Sequence, residues 1–379
     1  FRSGRGVAMA QLSPAMRALV QPHLVDIEPY DPKFTPTSIN LSANENTYPL
    51  PAGVRDAIDA ALASTPLNRY PDPLSGELRA ELARWHGLEP EQVCVGNGGD
   101  ELLFNVLLAF GGRGRALVTC PPDFSEYAFF ASLVETEALS VARDPESFAP
   151  RVDDLVRAAQ AANLVIVTSP NNPTGDLFPL DAVERLCDAC QGIVLVDEAY
   201  GEFADEGTSA VPLLARHGNL VVLKTLSKAF GAAGIRCGYV LAAPDVIEVF
   251  SAVRQIYSVN VLTQAAALAA VRARDVYAPV VAQIRAERER LSSALSSLLA
   301  RTAPEPLGHV WPSQGNFLLV RVPEAGNVRE RLRDEYSILV RDFSYAPGLS
   351  NCLRITVGTP EENDAVLAAL TELLEEDAS

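Results

Sequence analysis

The sequence predicts an α/β fold, with a large domain built on a mainly parallel sheet and a smaller α+β domain after it. From residue 93 to about residue 241, short apolar runs rich in β-branched residues alternate with segments of helical spacing. Continuous apolar strands with helical crossovers are typical of a parallel sheet covered on both faces. Beyond residue 244 the pattern changes to long helices and then to a mixture of strands and helices. The 379 residues, 48% of them hydrophobic, are enough for two domains.

The first region contains six strand-like runs and three helical segments between them. The strand-like runs are VCVG (93–96), ALVT (116–119), LVIVT (164–168), IVLVD (193–197), LVVLK (220–224) and CGYVLA (237–242), and the helical segments cover 101–110, 124–134 and 180–190. Long helices are predicted over 244–257 and 278–300. The last region then predicts strands at 316–322, 337–342 and 352–358, with helices at 328–336 and 362–376.

Composition and charge exclude several classes of protein. A net charge of -17 argues against nucleic acid as a partner, because the phosphate backbone would be repelled. No run of 18 apolar residues is present, so no membrane span is expected, and the first residues lack the apolar region of a signal peptide. Six scattered cysteines are too few for a disulfide scaffold, and Cys187 and Cys190 lack the second pair that a zinc site needs. We therefore expect no metal and a cytoplasmic location.

Polar and glycine-rich motifs directly follow four of the strand-like runs. These motifs are GNGGDE (96–101), SPNNPTG (169–175), DEAY (197–200) and TLSKAF (225–230). Open α/β sheets bind ligands at the carboxyl ends of their strands, where these motifs would meet. Taken singly, each motif has an ordinary alternative: a plain strand–helix turn, a proline-rich turn, or an aspartate that caps or pairs. The glycine turn before the helix at 101–110 would suit a phosphate, since helix N-termini carry free N–H groups and partial positive charge.

Lysine is scarce in this chain, which makes its placement informative. Only Lys33, Lys224 and Lys228 are present among 31 basic residues. Arginine replaces lysine as a surface charge but not as a nucleophilic amine. Two lysines between a strand and a glycine-rich turn therefore indicate an amine used in chemistry.

In this order, SPNNPTG, VDEAY and TLSKAFGAAGIRCGY resemble the class I/II aminotransferases of the fold type I pyridoxal-phosphate enzymes. More narrowly, the chain resembles the histidinol-phosphate group; the matching pieces are LSANEN (41–46), NRYPDP (68–73), GNGGDE (96–101), SKAFGAAGIRCGY (227–239), ILVRDFS (338–344) and CLRITVGTPEEN (352–363). The resemblance implies an aspartate aminotransferase-like fold with a seven-stranded-type sheet. It also implies an N-terminal arm over 1–40, a large cofactor-binding domain over 41–275, and a small domain over 276–379 that takes in part of the N-terminal segment.

The resemblance implies that pyridoxal 5'-phosphate is the cofactor and that Lys228, Asp197 and Tyr200 are catalytic. Lys228 matches the family's Schiff-base lysine, with Arg236 eight residues later, whereas Lys224 is interpreted as a strand-end residue. Asp197 matches the carboxylate that keeps the pyridine nitrogen protonated. Asn172, before a cis Pro173, and Tyr200 match the groups that hydrogen-bond the phenolic oxygen.

The resemblance also implies which residues bind the cofactor's phosphate and which residue stacks on its ring. The phosphate would lie on the backbone N–H groups of Gly99 and Asp100, and its side-chain ligands would be Thr225, Ser227 and Arg236. Tyr70 matches a tyrosine that reaches this phosphate from the neighbouring subunit, so a homodimer with shared active sites is expected. Phe124 stands where the histidinol-phosphate group has a ring-stacking tyrosine, a change that keeps the aromatic face and removes the hydroxyl.

Arg354 matches the family's carboxylate-binding arginine, and Arg341 and Tyr30 match its helpers around a substrate phosphate. A surface ion pair with a neighbour such as Asp342 is the alternative for Arg341. The expected reaction converts L-histidinol phosphate and 2-oxoglutarate to imidazole acetol phosphate and L-glutamate. Transamination of an aromatic or other amino acid, and a lyase similar to threonine-phosphate decarboxylase, are the alternatives. A ligand sensor on this fold is disfavoured, because the charge opposes DNA binding and the cofactor positions are filled.

Overall fold

The computed structural model describes residues 12–25, 27 and 35–377. Within them the α-helices are α1 (Pro14–Arg17), α2 (Ala52–Ser64), α3 (Gly76–His86), α4 (Gly99–Phe110), α5 (Glu126–Leu133), α6 (Val152–Ala159), α7 (Leu180–Ala189), α8 (Pro244–Val253), α9 (Val261–Arg272), α10 (Ala278–Thr302), α11 (Ala325–Tyr336) and α12 (Pro360–Asp377). The strands in the same residues are β1 (Ile39–Asn40), β2 (Val93–Gly96), β3 (Ala116–Thr119), β4 (Glu137–Ser140), β5 (Leu164–Thr168), β6 (Ile193–Asp197), β7 (Leu220–Thr225), β8 (Gly238–Ala242), β9 (His309–Val310), β10 (Phe317–Arg321), β11 (Ile338–Leu339), β12 (Arg341–Asp342) and β13 (Cys352–Thr356).

The main sheet has seven strands in the described part of the chain, in the order β2-β8-β7-β6-β5-β3-β4. Strands β3 to β7 pair in parallel, and β8 is antiparallel to both of its neighbours. The six predicted strands are present within one residue of their predicted limits. The edge strand β4 was not among them, because its sequence EALS is largely exposed and lacks the apolar run of a buried strand.

Helices cover the main sheet on both faces, as the continuous apolar strands predicted. Successive residues of β7 belong to different cores: Leu220 and Val222 lie in one cluster, and Val221 and Leu223 lie in the other. Side chains of α4, α5 and α8 fill the second cluster, whereas α2, α3, α6, α7 and α9 contribute to the first. The predicted α/β fold with a mainly parallel sheet between helices is therefore confirmed.

A second sheet of the described residues has four antiparallel strands in the order β12-β13-β10-β9. The helices α10, α11 and α12 pack in its neighbourhood. Strand β1 pairs in parallel with β11, and the next residue, Leu41, donates from its N–H to Leu339 and accepts at its carbonyl from the N–H of Thr356. These pairings fix the path of the chain into the segment LSANEN. The domain limits at residues 40 and 275 stay a prediction.

No helix of the described residues is both long enough and apolar enough to cross a lipid bilayer. All six cysteines are buried free thiols.

Candidate active site

The ends of β5, β6 and β7 place three polar side chains at one edge of the main sheet. Thr168, Asp197 and Thr225 are the last residues of these parallel strands. The motifs SPNNPTG, DEAY and TLSKAF continue from them. The predicted site residues therefore start from one edge, as expected for an open α/β sheet.

Asp197 is buried and is held by a tyrosine that the sequence did not single out. Tyr127, on α5, donates from its hydroxyl to Asp197 Oδ2 at 2.7 Å and lies 2.8 Å from Thr168 Oγ1. The N–H of Ala199 donates to Asp197 Oδ1. Burial raises the pKa of Asp197 to about 6, although the hydrogen bonds from Tyr127 and Ala199 lower it. This carboxylate is therefore costly to ionise without a cation beside it, and a protonated pyridine nitrogen would supply that cation.

Three consecutive residues of LSANEN touch three of the predicted site side chains. Lys228 donates from Nζ to the carbonyl of Ala43 at 2.9 Å and lies 5.7 Å from the ring centre of Tyr200. Asn44 donates from Nδ2 to the Tyr200 hydroxyl at 3.0 Å. Arg354 donates from Nη2 to the carbonyl of Ser42 at 2.5 Å. The segment Ser42–Asn44 thus joins residues that are far apart in sequence.

The side chain of Asn172 is held by a hydrogen bond from Arg354. Arg354 Nη1 donates to Asn172 Oδ1 at 2.6 Å, which leaves the amide nitrogen of Asn172 as its donating end. The Asn172–Pro173 peptide is cis, as predicted. Phe317 and Phe343 flank the Arg354 guanidinium, with ring centres at 5.7 and 5.3 Å.

Glycines and Arg236 form a narrow cradle at the start of α4. Gly98 has a φ of 87°, and a Cβ added there would lie 2.5 Å from Arg236 Nη2. A Cβ on Gly238 of β8 would lie 2.7 Å from the backbone of Gly98 and Gly99. Arg236 Nη2 is also 3.1 Å from the Asp100 carboxylate. A helix N-terminus, a guanidinium and side-chain-free backbone fit a phosphate group.

Two hydroxyl groups after β7 lie close to each other. Ser227 donates from its N–H to Thr225 Oγ1 at 3.1 Å, and the two hydroxyl oxygens are 3.0 Å apart. Both residues are buried. Their predicted role as phosphate ligands stays a prediction, and their donor chemistry fits it.

Arg341 and Arg354 stand opposite each other in the second sheet. They are register partners on the antiparallel strands β12 and β13, so their side chains leave the same face of the sheet. Among the described residues, the Arg341 guanidinium has no hydrogen bond or ion pair, and Asp342 accepts from the N–H of Ser344 instead. The alternative of an Arg341–Asp342 ion pair is therefore not observed. Two like charges placed opposite each other favour an anion between them.

The remaining predicted residues have different surroundings. Phe124 is half-buried, and its ring lies edge-on to Tyr127 at 5.6 Å. Tyr70 is 81% exposed and stacks on Tyr257 at 4.5 Å. Tyr30 lies outside the described residues.

Lys224 is a buried member of an ion-pair cluster. Its Nζ is 3.1 Å from carboxylate oxygens of both Glu198 and Glu202. Burial alone would lower the pKa of Lys224, but the two carboxylates outweigh it and raise that pKa. Glu198 also accepts from Ser209 and from the N–H of Ala210. The cluster fixes the turn after Asp197. Its signal in the sequence is the pair Glu198 and Glu202 in VDEAYGE.

Comparisons with known proteins show the family of this chain. The family described as aminotransferase class I and II matches residues 36–370. The chain is 40% identical over 382 residues to the histidinol-phosphate aminotransferase of Roseiflexus castenholzii, covering 95% of this chain and 99% of the relative.

Solved structures of similar proteins include relatives of two activities. The histidinol-phosphate aminotransferase of Sinorhizobium meliloti in complex with pyridoxal-5'-phosphate has a TM-score of 0.83 and 25% identity, covering 98% of this chain and 99% of that one. The L-threonine-O-3-phosphate decarboxylase of Porphyromonas gingivalis has a TM-score of 0.75 and 26% identity, covering 89% of this chain and 99% of that one. With its strand-end site and these matches over nearly its whole length, the chain belongs to the class I and II aminotransferases, in the family of the histidinol-phosphate aminotransferases.

Proposed function

We propose that this chain is a pyridoxal-phosphate-dependent aminotransferase of histidine biosynthesis. It transfers the amino group of L-histidinol phosphate to 2-oxoglutarate and yields imidazole acetol phosphate and L-glutamate. The observation that carries the substrate assignment is the pair of guanidinium groups on Arg341 and Arg354, register partners on β12 and β13. Two guanidinium groups suit a phosphate dianion better than a single carboxylate, because each can make paired hydrogen bonds.

Pyridoxal phosphate, when bound, supplies an aldehyde and a pyridine ring that accepts the electron pair left at the substrate Cα. Asp197 holds the proton on the ring nitrogen, and Tyr127 keeps the carboxylate in place. Lys228 carries the cofactor and moves the proton at the substrate Cα. These assignments rest on the match of SKAFGAAGIRCGY and on the buried position of Asp197.

The cradle and the two donors at the phenolic oxygen orient the cofactor. The N–H groups of Gly99 and Asp100, with Thr225, Ser227 and Arg236, would hold its phosphate. The Tyr200 hydroxyl and the Asn172 amide would donate to its phenolic oxygen, and Phe124 would supply the aromatic face for its ring. The contacts that support this placement are the Asn44–Tyr200 and Arg354–Asn172 hydrogen bonds, since each leaves a donor of Tyr200 or Asn172 for the pocket.

Arg354 takes the phosphate of histidinol phosphate together with Arg341 and Tyr30. In the second half of the reaction Arg354 takes the carboxylate of 2-oxoglutarate. The short contacts of Arg354 to the Ser42 carbonyl and to Asn172 support a guanidinium held at fixed orientation.

The active unit in this proposal is a homodimer in which Tyr70 reaches the phosphate in the partner's site. Tyr70 and Tyr257 form an exposed stacked pair. Leu67 and Ile256, close to them in sequence, are 74% and 69% exposed. An apolar patch of this kind is typical of a protein interface. We also infer that the enzyme acts in the cytoplasm, which its six free thiols support.

The test is a comparison of amino donors. For L-histidinol phosphate and for phenylalanine, steady-state kcat/KM is measured with 2-oxoglutarate as the acceptor. For glutamate it is measured with a different oxo acid as the acceptor, because transfer to 2-oxoglutarate would only regenerate glutamate. We expect histidinol phosphate to be preferred over phenylalanine by at least tenfold, roughly the value of one charge-assisted contact. A preference for phenylalanine would contradict the substrate assignment, while the family assignment would still hold. Release of carbon dioxide from O-phosphothreonine, without amino transfer from histidinol phosphate, would instead favour the lyase that the P. gingivalis relative represents.

A further inference from the structure

Asn44 is a fully buried polar residue that contacts Tyr200 but is not itself one of the proposed cofactor or substrate ligands. Its relative exposure is 0%. Its N–H donates to Thr356 Oγ1 at 3.0 Å, and its carbonyl accepts from Asn316 Nδ2 at 3.1 Å. Its side chain spans Thr356, 3.2 Å from Oδ1, and the Tyr200 hydroxyl, 3.0 Å from Nδ2. Every polar group of Asn44 is therefore engaged.

These bonds determine which end of the Asn44 amide faces Tyr200. The backbone N–H of Asn44 is a donor, so Thr356 Oγ1 must act as its acceptor. Within the described residues the buried Thr356 hydroxyl donates to no group other than the Asn44 side chain, so its proton would have no acceptor if the amide were turned round. The amide oxygen accepts this proton, so the amide nitrogen faces Tyr200. A donor on that side makes the Tyr200 oxygen an acceptor.

The direction of the Tyr200 proton follows from this arrangement. Since Asn44 Nδ2 cannot accept, Tyr200 has to donate its proton elsewhere than to Asn44. We propose that Asn44 is a positioning residue that directs the Tyr200 hydroxyl proton into the pocket, toward the phenolic oxygen of bound pyridoxal phosphate. This inference rests on the function proposed above, in which Tyr200 donates to that oxygen.

The backbone conformation of Asn44 explains why an asparagine suits this position. Its φ is 53°, in the left-handed region that asparagine and aspartate tolerate better than most other residues. Aspartate is thus a matched substitution in shape and backbone preference. It places an oxygen where Nδ2 was, so Tyr200 would turn its proton to residue 44 and away from the pocket.

The experiment compares two ligands on the cofactor-free chain. Equilibrium Kd values are measured for pyridoxal 5'-phosphate and for its 3-deoxy analogue, in which hydrogen replaces the phenolic hydroxyl. The proteins are the wild type, Asn44→Asp, Tyr200→Phe and the double variant. Both ligands carry the same aldehyde and phosphate, so any effect of the new charge on the nearby Lys228 cancels in the ratio of the two Kd values.

We expect the wild type to prefer pyridoxal phosphate over the analogue by about tenfold, the value of one hydrogen bond to a charged acceptor. Asn44→Asp and Tyr200→Phe should each remove most of this preference, and the double variant should lose no more than either single variant. Asn44→Gly, which keeps the left-handed backbone, should lose part of the preference because the hydroxyl is then unconstrained. Melting temperatures show whether each variant is folded. If Asn44→Asp does not fold, Asn44→Gly replaces it in the comparison.

Two outcomes would overturn the inference separately from the proposed function. If Tyr200→Phe loses the preference while Asn44→Asp and Asn44→Gly keep it, Tyr200 acts without Asn44. If losses of the single variants multiply in the double variant, the two residues act independently. A wild type that binds both ligands equally would remove the role of Tyr200 itself, and the inference with it.

Discussion

Replacing Arg341 by alanine should separate the two anions that the site is proposed to bind. Arg341 and Arg354 are register partners on β12 and β13, and Arg354 is further held by Asn172 and the Ser42 carbonyl. Arg341 has no comparable contact within the described residues. It is therefore the group whose removal leaves the rest of the site in place.

The size of the effect follows from what Arg341 contributes in each case. Loss of one charge-assisted contact to the phosphate costs about 1.5–3 kcal/mol, or roughly ten- to a hundredfold in kcat/KM. Glutamate presents a carboxylate that Arg354 alone can pair, so its kcat/KM should fall less than about threefold. Stability should not fall, since like charges opposite each other on neighbouring strands cost about 0.2–1 kcal/mol and Arg341→Ala relieves that repulsion.

The assay measures kcat/KM for histidinol phosphate and for glutamate on the same preparations, together with the melting temperature. Arg341→Lys retains the charge and loses the paired geometry, so it should give an intermediate loss for histidinol phosphate. Arg301→Ala is the matched control, because Arg301 on α10 is 62% exposed in its side chain and pairs with Glu375. It should leave both substrates unchanged.

Equal losses for both substrates in Arg341→Ala would place Arg341 outside the phosphate pocket. A melting temperature that falls by several degrees would show that Arg341 has a structural partner instead.

Four further predictions concern the rest of the site. Burial raises the pKa of Asp197 from 3.8 to about 6, so between these pH values the folded, cofactor-free chain holds a proton that the unfolded chain has lost, and its stability falls as pH rises. Asp197→Asn should therefore melt at a higher temperature than the wild type at about pH 8 but not below about pH 4. The variant should also transaminate far more slowly. Borohydride reduction of the loaded enzyme and peptide mapping should place the label on Lys228, and a label on either other lysine would contradict the assignment. Lys224→Met should cost roughly 3–5 kcal/mol in the free energy of unfolding, because two buried carboxylates lose their partner; an unchanged value would mean that water reaches them. Mixed Tyr70→Phe and Lys228→Ala chains should regain activity through heterodimers with one intact site, and no regain despite proven subunit exchange would refute the crossing of Tyr70.

The sequence predicted the parts of the fold whose signal is local. The buried strands of the main sheet are apolar up to their last one or two residues, so their limits could be read within a residue. Strand β4 escaped because an exposed edge strand has no need of apolar residues on both faces. The antiparallel direction of β8 is set by chain connectivity and is not encoded in its own residues.

The unforeseen parts of the site are contacts between distant segments. Tyr127 follows Phe124 by three residues and lies in the first turn of α5, but its bond to Asp197 depends on how α5 packs on the sheet. Asn44 belongs to the matched piece LSANEN, yet its bond to Tyr200 spans 156 positions. Such pairings arise from tertiary packing, which no local pattern records.

The carbonyl groups of Ser42 and Ala43 hold Arg354 and Lys228 without any contribution from their own side chains. An alanine scan through this stretch would therefore detect the side chain of Asn44 but not the carbonyl contacts of Ser42 and Ala43, although all three residues contact the site. Replacing the peptide bond after Ser42 by an ester would weaken the Ser42 carbonyl as an acceptor while every side chain stays the same; the same change after Ala43 would also remove the Asn44 N–H that donates to Thr356. Tolerance of a position to mutation is in this case a poor measure of its part in the site, because what the site needs there is the path of the main chain.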